Sequence, residues 1–184
     1  MTMSLDGFVA GPNGESAWMF ETKDEAAKAW TIARISGAGV HAMGSRTFRD
    51  MAAFWPTSRE AFAPAMNAIP KVVFSRHGNA DVPIADSPLA ETWRSARWLV
   101  GDLAAEVAKL KAEAGGPIVA HGGASFARSL VALDLVDEFQ LLVVPIAIGR
   151  GLAVFGERAT PLRLRLASTE AFPSGRIAQV YVRA

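Results

Sequence analysis

Cysteine is absent from the chain, and its absence excludes disulfides, thiol catalysis and cysteine-bound metals. A strong charge of one sign is also missing, because 19 basic and 18 acidic residues leave a net charge of +1. A nearly neutral chain has no broad field that would favour nucleic acid or a membrane surface. Any site for an anion must therefore be local.

Long hydrophobic runs are missing as well. The longest one, residues 139–148, contains Gln140 and Pro145; it is too short for a membrane span and predicts a buried strand. The first seven residues have neither the basic region nor the long apolar core of a signal peptide. We therefore expect a cytoplasmic protein.

Hydrophobic residues make up 51% of the 184 positions, which is enough for a single domain over residues 1–184 with a substantial core. Strand-like segments alternate with helix-like segments, and two strand-like segments, 162–172 and 177–182, end the chain. This order predicts an α/β fold of three layers: a mostly parallel central sheet, helices on both faces and an antiparallel C-terminal hairpin.

Local signals predict where the helices begin. Thr22 and Glu25 have the spacing of a capping box, with Thr22 as the N-cap. Ser45 is predicted to cap a helix that runs to about Ala52, and Asp102 is predicted to cap a later amphipathic helix.

The most informative stretch is 117–130, in which an apolar run ends at Gly122-Gly123 and a helix-like run follows. Such a junction exposes free N–H groups and the positive end of a helix, which suit a phosphate. The segment 43–48 has similar features with basic residues added, and Ser75-Arg76 ends a third strand. Each segment alone could be an ordinary strand end. Together they predict a nucleotide site, because ligands collect at the carboxyl ends of strands in open α/β sheets.

A competing pattern, G-x-G-x-x-A, occurs at residues 37–42. In dinucleotide-binding proteins that pattern follows a strand and opens a helix. Here it follows a helix and opens a strand, so we interpret Gly37 and Gly39 as a helix end and a turn.

Few side chains suggest direct chemistry. Asp6 interrupts an apolar strand, where a carboxylate needs a turn, a bulge or a ligand, and Trp18 follows a glycine-rich turn and could line a pocket. The histidines, His41, His77 and His121, lack metal-ligand spacing, so no metal is predicted. His121 precedes the glycine pair, where a substrate contact and a structural role are about equally plausible.

Taken together, these segments resemble the dihydrofolate reductase superfold, and within it the RibD C-terminal-domain family of reductases. The resemblance covers nearly the whole chain in the family's order. It is carried by segments 3–10, 43–48, 73–76, 101–111, 121–123, 135–138 and 145–155.

The resemblance implies that NADPH is the cofactor. It would place the pyrophosphate at Gly122, Gly123, Ala124 and Ser125, the phosphates of the adenosine half at Gly44, Ser45, Arg46 and Thr47, and the 2′-phosphate at Ser75 and Arg76. The substrate would lie near Asp6, Trp18 and His121.

The implied reaction is hydride transfer to a C=N or C=O group of a small heterocyclic or carbonyl substrate. Riboflavin biosynthesis contains such a step, the reduction of 5-amino-6-(5-phosphoribosylamino)uracil. The reductases of that pathway carry glutamate where His121 stands here, so the substrate and the catalytic residue stay open. The alternative is a nucleotide-binding module of the same fold without turnover.

The expected partner is a small-molecule substrate rather than nucleic acid or a membrane. A homodimer is also plausible, since the C-terminal hairpin or the strand within 139–148 could offer a free edge.

Overall fold

The computed structural model describes residues 1–78, 82–113, 115–156 and 160–184. Its strands, numbered in chain order, are β1 (Thr2–Ser4), β2 (Phe8–Ala10), β3 (Val40–Gly44), β4 (Lys71–Ser75), β5 (Arg97–Val100), β6 (Ile118–Ala120), β7 (Glu138–Val144), β8 (Leu152–Ala153), β9 (Leu164–Ala171) and β10 (Ile177–Arg183). Its α-helices are α1 (Glu25–Ser36), α2 (Ser45–Phe54), α3 (Ala63–Ala68), α4 (Glu91–Arg94), α5 (Leu103–Ala112) and α6 (Ala124–Ala132). Within those ranges, no helix has the length and hydropathy needed to cross a membrane.

The chain divides into two compact units. The terminal unit consists of Met1–Ala29 and Ala124–Ala184, and the middle unit of Trp30–Gly123. Each unit contains a four-stranded sheet. The expectation of one domain over residues 1–184 stays a prediction.

The sheet of the middle unit has the order β5-β4-β3-β6, and all its strands are parallel. Because successive side chains of a strand point to opposite faces, Val72 and Val73 of β4 pack on different helices. Val73 packs with Phe48 of α2 and Trp93 of α4, whereas Val72 packs with Leu110 of α5. Helices therefore cover both faces of a parallel sheet, as the sequence predicts.

The sheet of the terminal unit has the order β1-β7-β10-β9. β1 is parallel to β7, and the remaining pairs, including the β9–β10 hairpin, are antiparallel. The predicted C-terminal hairpin is confirmed. β7 is paired on both sides, so the expectation that the strand within 139–148 offers a free edge is wrong. Its local sequence shows that it is buried but cannot show which strands flank it.

Two of the predicted helix starts can be compared directly. Asp102 caps α5 as expected, because its Oδ1 accepts the N–H of Ala105 at 2.9 Å. The cap of α1 is Asp24 instead of Thr22, because Oδ1 of Asp24 accepts the N–H of Ala27 at 2.9 Å. Thr22 lies two residues before the N-cap position of α1, because the helix begins at Glu25.

Gly39 precedes β3 at a point where two backbones nearly touch. A Cβ atom on Gly39 would lie 2.6 Å from the backbone nitrogen of Gly116 and 2.7 Å from its Cα. The N–H of Gly39 also donates to the carbonyl of Pro117 at 2.9 Å. The structure thus gives this glycine of the G-x-G-x-x-A pattern a packing role.

We expect Gly39→Ala to destabilise the protein by about 1–3 kcal/mol, because the new methyl group meets backbone atoms that cannot rotate away. Gly115→Ala is the matched control, since among the described residues, its chain neighbours aside, no atom lies within 4 Å of its Cβ position. Urea unfolding midpoints measure both effects. Equal midpoints for the two variants would contradict the close approach.

Candidate functional site

The carboxyl ends of β3, β4 and β6 lie at one edge of the middle unit's sheet. In the parallel register, Gly44 is opposite Phe74, and Ala42 is opposite Ala120. The residues that follow each strand therefore emerge side by side. The structure brings together the predicted segments 44–47, 75–76 and 121–123.

The glycine pair after β6 packs against the first turn of α2. Gly122 and Gly123 have φ angles of +50° and +73°, in the left-handed region that favours glycine. A Cβ on Gly122 would lie 3.1 Å from Cγ2 of Thr47 and 3.5 Å from Cε of Met51. The turn therefore packs closely on the side chains of α2, and Met51 is a neighbour that the sequence did not reveal.

The start of α2 lacks a side-chain cap. The helix begins at Ser45 itself, and Gly44 occupies the N-cap position with no side-chain hydrogen bond. The prediction that Ser45 caps this helix is therefore wrong, because the helix begins one residue earlier than expected, directly after β3 ends at Gly44. Glycine supplies no acceptor, so the first N–H groups of α2 are available to an anion.

Two cations accompany these strand ends. Arg46 and Arg76 are exposed, and within the described part of the chain neither has a carboxylate partner. Ser75 lies beside Arg76, and its Oγ accepts the N–H of His77 at 3.2 Å. The edge therefore presents free positive charge, hydroxyl groups and backbone donors.

His121 turns its ring toward His41 of β3. The two ring centroids are 4.2 Å apart with an interplanar angle of 62°, and the N–H of His121 donates to the carbonyl of Ala42 at 2.8 Å. Burial lowers the pKa of His41 to about 4 and that of His121 to about 3, so both rings are neutral near pH 7. The predicted substrate contact of His121 stays a prediction.

The partner of His121 was not evident from the sequence. His41 is fully buried, and its Nε2 lies 3.3 Å from the carbonyl of Ile35. The pair forms because β3 and β6 are neighbours in the sheet, with His41 opposite Val119. Only this register, which no local pattern specifies, could have revealed the contact.

Asp6 of the terminal unit holds the turn between β1 and β2. Its Oδ1 accepts the Ser4 hydroxyl at 2.6 Å and the N–H of Ile148 at 3.2 Å, and its Oδ2 accepts the N–H of Gly149 at 2.7 Å. The Ser4 hydroxyl, followed by the N–H groups of Gly149 and Ile148, lowers the pKa of Asp6. Asp6 is thus an ionised clamp, and its predicted contact with a substrate stays a prediction.

The other predicted residues of the terminal unit lie on helices. Trp18 is buried in the 3₁₀ turn Ala17–Phe20, and its Nε1 has no acceptor among the residues that the structure describes. Ala124 and Ser125 form the start of α6, directly after Gly123. They present the first N–H groups of that helix.

The chain is similar to known proteins along nearly its whole length. The profile of the RibD C-terminal domain matches residues 1–178. Protein YyaP of Bacillus subtilis is 28% identical over 187 aligned residues, which cover 98% of this chain and 91% of YyaP.

Two solved structures show the likeness in fold. A pyrimidine reductase-like protein of Corynebacterium diphtheriae is 19% identical with a TM-score of 0.70, covering 100% of this chain and 89% of that one. A dihydrofolate reductase of Enterococcus faecalis, solved in complex with NADP(H), is 13% identical with a TM-score of 0.63, covering 99% and 92%. The predicted fold class is confirmed.

We expect Gly122→Ala to lower stability by about 2 kcal/mol, because alanine disfavours the left-handed region and its methyl group would crowd Thr47. Adding Thr47→Ser removes Cγ2 and should restore part of the loss. Gly78→Ala controls for strain alone, since its φ is +79° and its nearest neighbour is 4.0 Å away. Chemical denaturation of all four proteins tests the contact, and a Thr47→Ser background that rescues nothing would refute it.

The histidine pair predicts sensitivity to mild acid. Both folded pKa values lie below the ordinary 6.5. As the pH falls below 6.5, the two histidines take up protons in the unfolded chain but not in the folded one, so the free energy of unfolding decreases. Between pH 7 and pH 5 we expect a loss of roughly 1–2 kcal/mol per histidine. In the double variant His41→Gln/His121→Gln, the free energy of unfolding should depend less on pH than in the unaltered chain. The control His77→Gln, at an exposed site, should keep the pH dependence of the unaltered chain. Parallel slopes for all three proteins would be evidence against this assignment.

Proposed function

The chain belongs to the RibD C-terminal domain family, and on this basis we propose that it is an NADPH-dependent reductase of the riboflavin and dihydrofolate reductase type. The substrate class is a small heterocyclic or carbonyl compound with a C=N or C=O group. Reduction of 5-amino-6-(5-phosphoribosylamino)uracil, or of a related compound, is the leading candidate reaction.

One observation carries the proposal: the turn at Gly122-Gly123 packs against the uncapped start of α2. A Cβ at position 122 would lie 3.1 Å from Cγ2 of Thr47, and the φ of this residue is +50°, so glycine suits the close packing of the turn on α2. Backbone donors of the turn and of the helix start can then contact different phosphates of one ligand. The residues present therefore fit a dinucleotide.

The proposed contacts divide the cofactor into three parts. Gly122 and Gly123, with Ala124 and Ser125 after them, would hold the pyrophosphate. Gly44, Ser45, Arg46 and Thr47 would contact phosphates near the adenosine half, with Ser75 and Arg76 on the side of the 2′-phosphate. When bound, NADPH would supply the hydride, while the chain supplies binding and orientation.

The residues that we propose to contact the substrate are Asp6, Trp18 and His121. Trp18 supports this role best, because its buried Nε1 has no acceptor within the described ranges. A substrate carbonyl or ring nitrogen would satisfy that donor.

A nucleotide-binding module without turnover is the second candidate. It is favoured by two observations: both carboxylate oxygens of Asp6 are occupied by donors of the protein, and the neutral ring of His121 packs against His41.

We expect Arg46→Ala and Arg76→Ala each to weaken NADPH binding roughly tenfold, since each removes a charge-assisted contact with a phosphate. Arg76→Ala should leave NADH affinity nearly unchanged, because NADH lacks the 2′-phosphate. Arg49→Ala is the matched control, an exposed arginine of the same helix as Arg46. Fluorescence titration measures these affinities, and the proposed site is wrong if both variants bind NADPH as the unaltered chain does.

Turnover separates the two candidate functions. NADPH consumption is measured with a panel of ribosylaminouracils, pterins and aldehydes. A reductase oxidises NADPH with at least one of them. Saturable NADPH binding without oxidation across the panel would favour the binding module.

A further inference from the structure

Arg176 of the terminal unit is a buried cation without a carboxylate partner among the described residues. Its side chain is 8% exposed, and its Nη2 donates to the carbonyls of Met19 at 2.8 Å and Thr22 at 2.5 Å. Burying an ionised side chain is unfavourable unless hydrogen bonds compensate it. These hydrogen bonds therefore fix the guanidinium, and they also fix the backbone that carries the two carbonyls.

The β9–β10 turn makes Arg176 a rigid anchor. The N–H of Gly175 donates to the carbonyl of Phe172 at 2.9 Å, and the N–H of Phe172 donates to the carbonyl of Arg176 at 2.9 Å. Gly175 has a φ of +79°, which a turn of this kind requires of one residue. The hairpin thus fixes the backbone of Arg176, and the side chain extends from this position to the carbonyls of Met19 and Thr22.

Asp24 forms a second connection between the same two segments. Its Oδ2 accepts the N–H of Ser174 at 3.0 Å, while its Oδ1 caps α1 through the N–H of Ala27. The hairpin turn therefore contributes two groups to this connection. The guanidinium of Arg176 binds two carbonyls, and the N–H of Ser174 binds the carboxylate of Asp24. Segment 19–24 is held at both of its ends.

The held segment carries Trp18. This residue directly precedes Met19, whose carbonyl accepts from Arg176, and both belong to the turn Ala17–Phe20. We propose that Arg176 is a positioning residue: by clamping this turn to the β9–β10 hairpin it fixes the indole of Trp18, and so sets substrate affinity without touching the substrate. The effect on affinity rests on the proposed reductase function; the clamp itself does not.

The clamp is tested in the full chain labelled with fluorotryptophan. The five tryptophans give separate ¹⁹F resonances, and Trp18→Phe identifies that of Trp18. In Arg176→Met we expect the Trp18 resonance to shift or broaden while the other four stay in place. Amide hydrogen exchange in Ala17–Phe20 should become roughly tenfold faster, as expected for the loss of charge-assisted hydrogen bonds.

Arg165→Met is the matched control, because Arg165 is exposed on the same hairpin. It should leave the Trp18 resonance and the exchange rates unchanged. If Arg176→Met does not fold, Arg176→Lys decides the question, since lysine keeps the charge but cannot reproduce the guanidinium geometry. An unchanged Trp18 resonance and unchanged exchange in the folded variant overturn the clamp.

Steady-state kinetics test the effect on the substrate. With the substrate found in the panel, Arg176→Met should raise KM roughly tenfold and leave the Kd for NADPH unchanged. A disturbed Trp18 with an unchanged KM overturns the positioning role. Failure of the unaltered chain to bind NADPH would refute the proposed function alone, because the ¹⁹F and exchange measurements decide the clamp without it.

Discussion

The approach of Gly122 to the first turn of α2 is the contact on which the candidate site depends. The Cβ position of Gly122 is only 3.1 Å from Cγ2 of Thr47, so a larger residue would crowd this side chain of the helix. The parallel register of β3 and β6 places the ends of these two strands side by side. Gly44 occupies the N-cap position of α2 and supplies no side-chain acceptor. Together these features place two sets of backbone donors beside each other, with Arg46 exposed next to them.

Charged side chains act differently in the terminal unit. Asp6, Asp24 and Arg176 all bind backbone groups of distant segments rather than one another. Each joins a loop near the N-terminus to one near the C-terminus. In the terminal unit these charged side chains therefore hold loops in place.

Local signals predicted much of the fold. The run Lys71–Ser75, whose β-branched and aromatic residues favour a strand, forms β4. Asp102 caps α5 as predicted, because an N-cap needs only a side-chain acceptor three residues before its donor. The start of α1 was mispredicted because Thr22 and Asp24 are both good acceptors. In the structure Asp24 is the cap, and its other carboxylate oxygen accepts the N–H of Ser174.

The sequence by itself determined the strand ends, the glycines and the basic residues of the candidate site, because turn and helix-start chemistry is read within a few residues. Only the tertiary structure decided which groups meet. His41 contacts His121 through strand order, Asp6 binds Gly149 across 143 positions, and Arg176 reaches Thr22 across 154. Such contacts depend on how strands pair and loops pack, and the free energy of that packing is spread over the whole core rather than written in any local pattern.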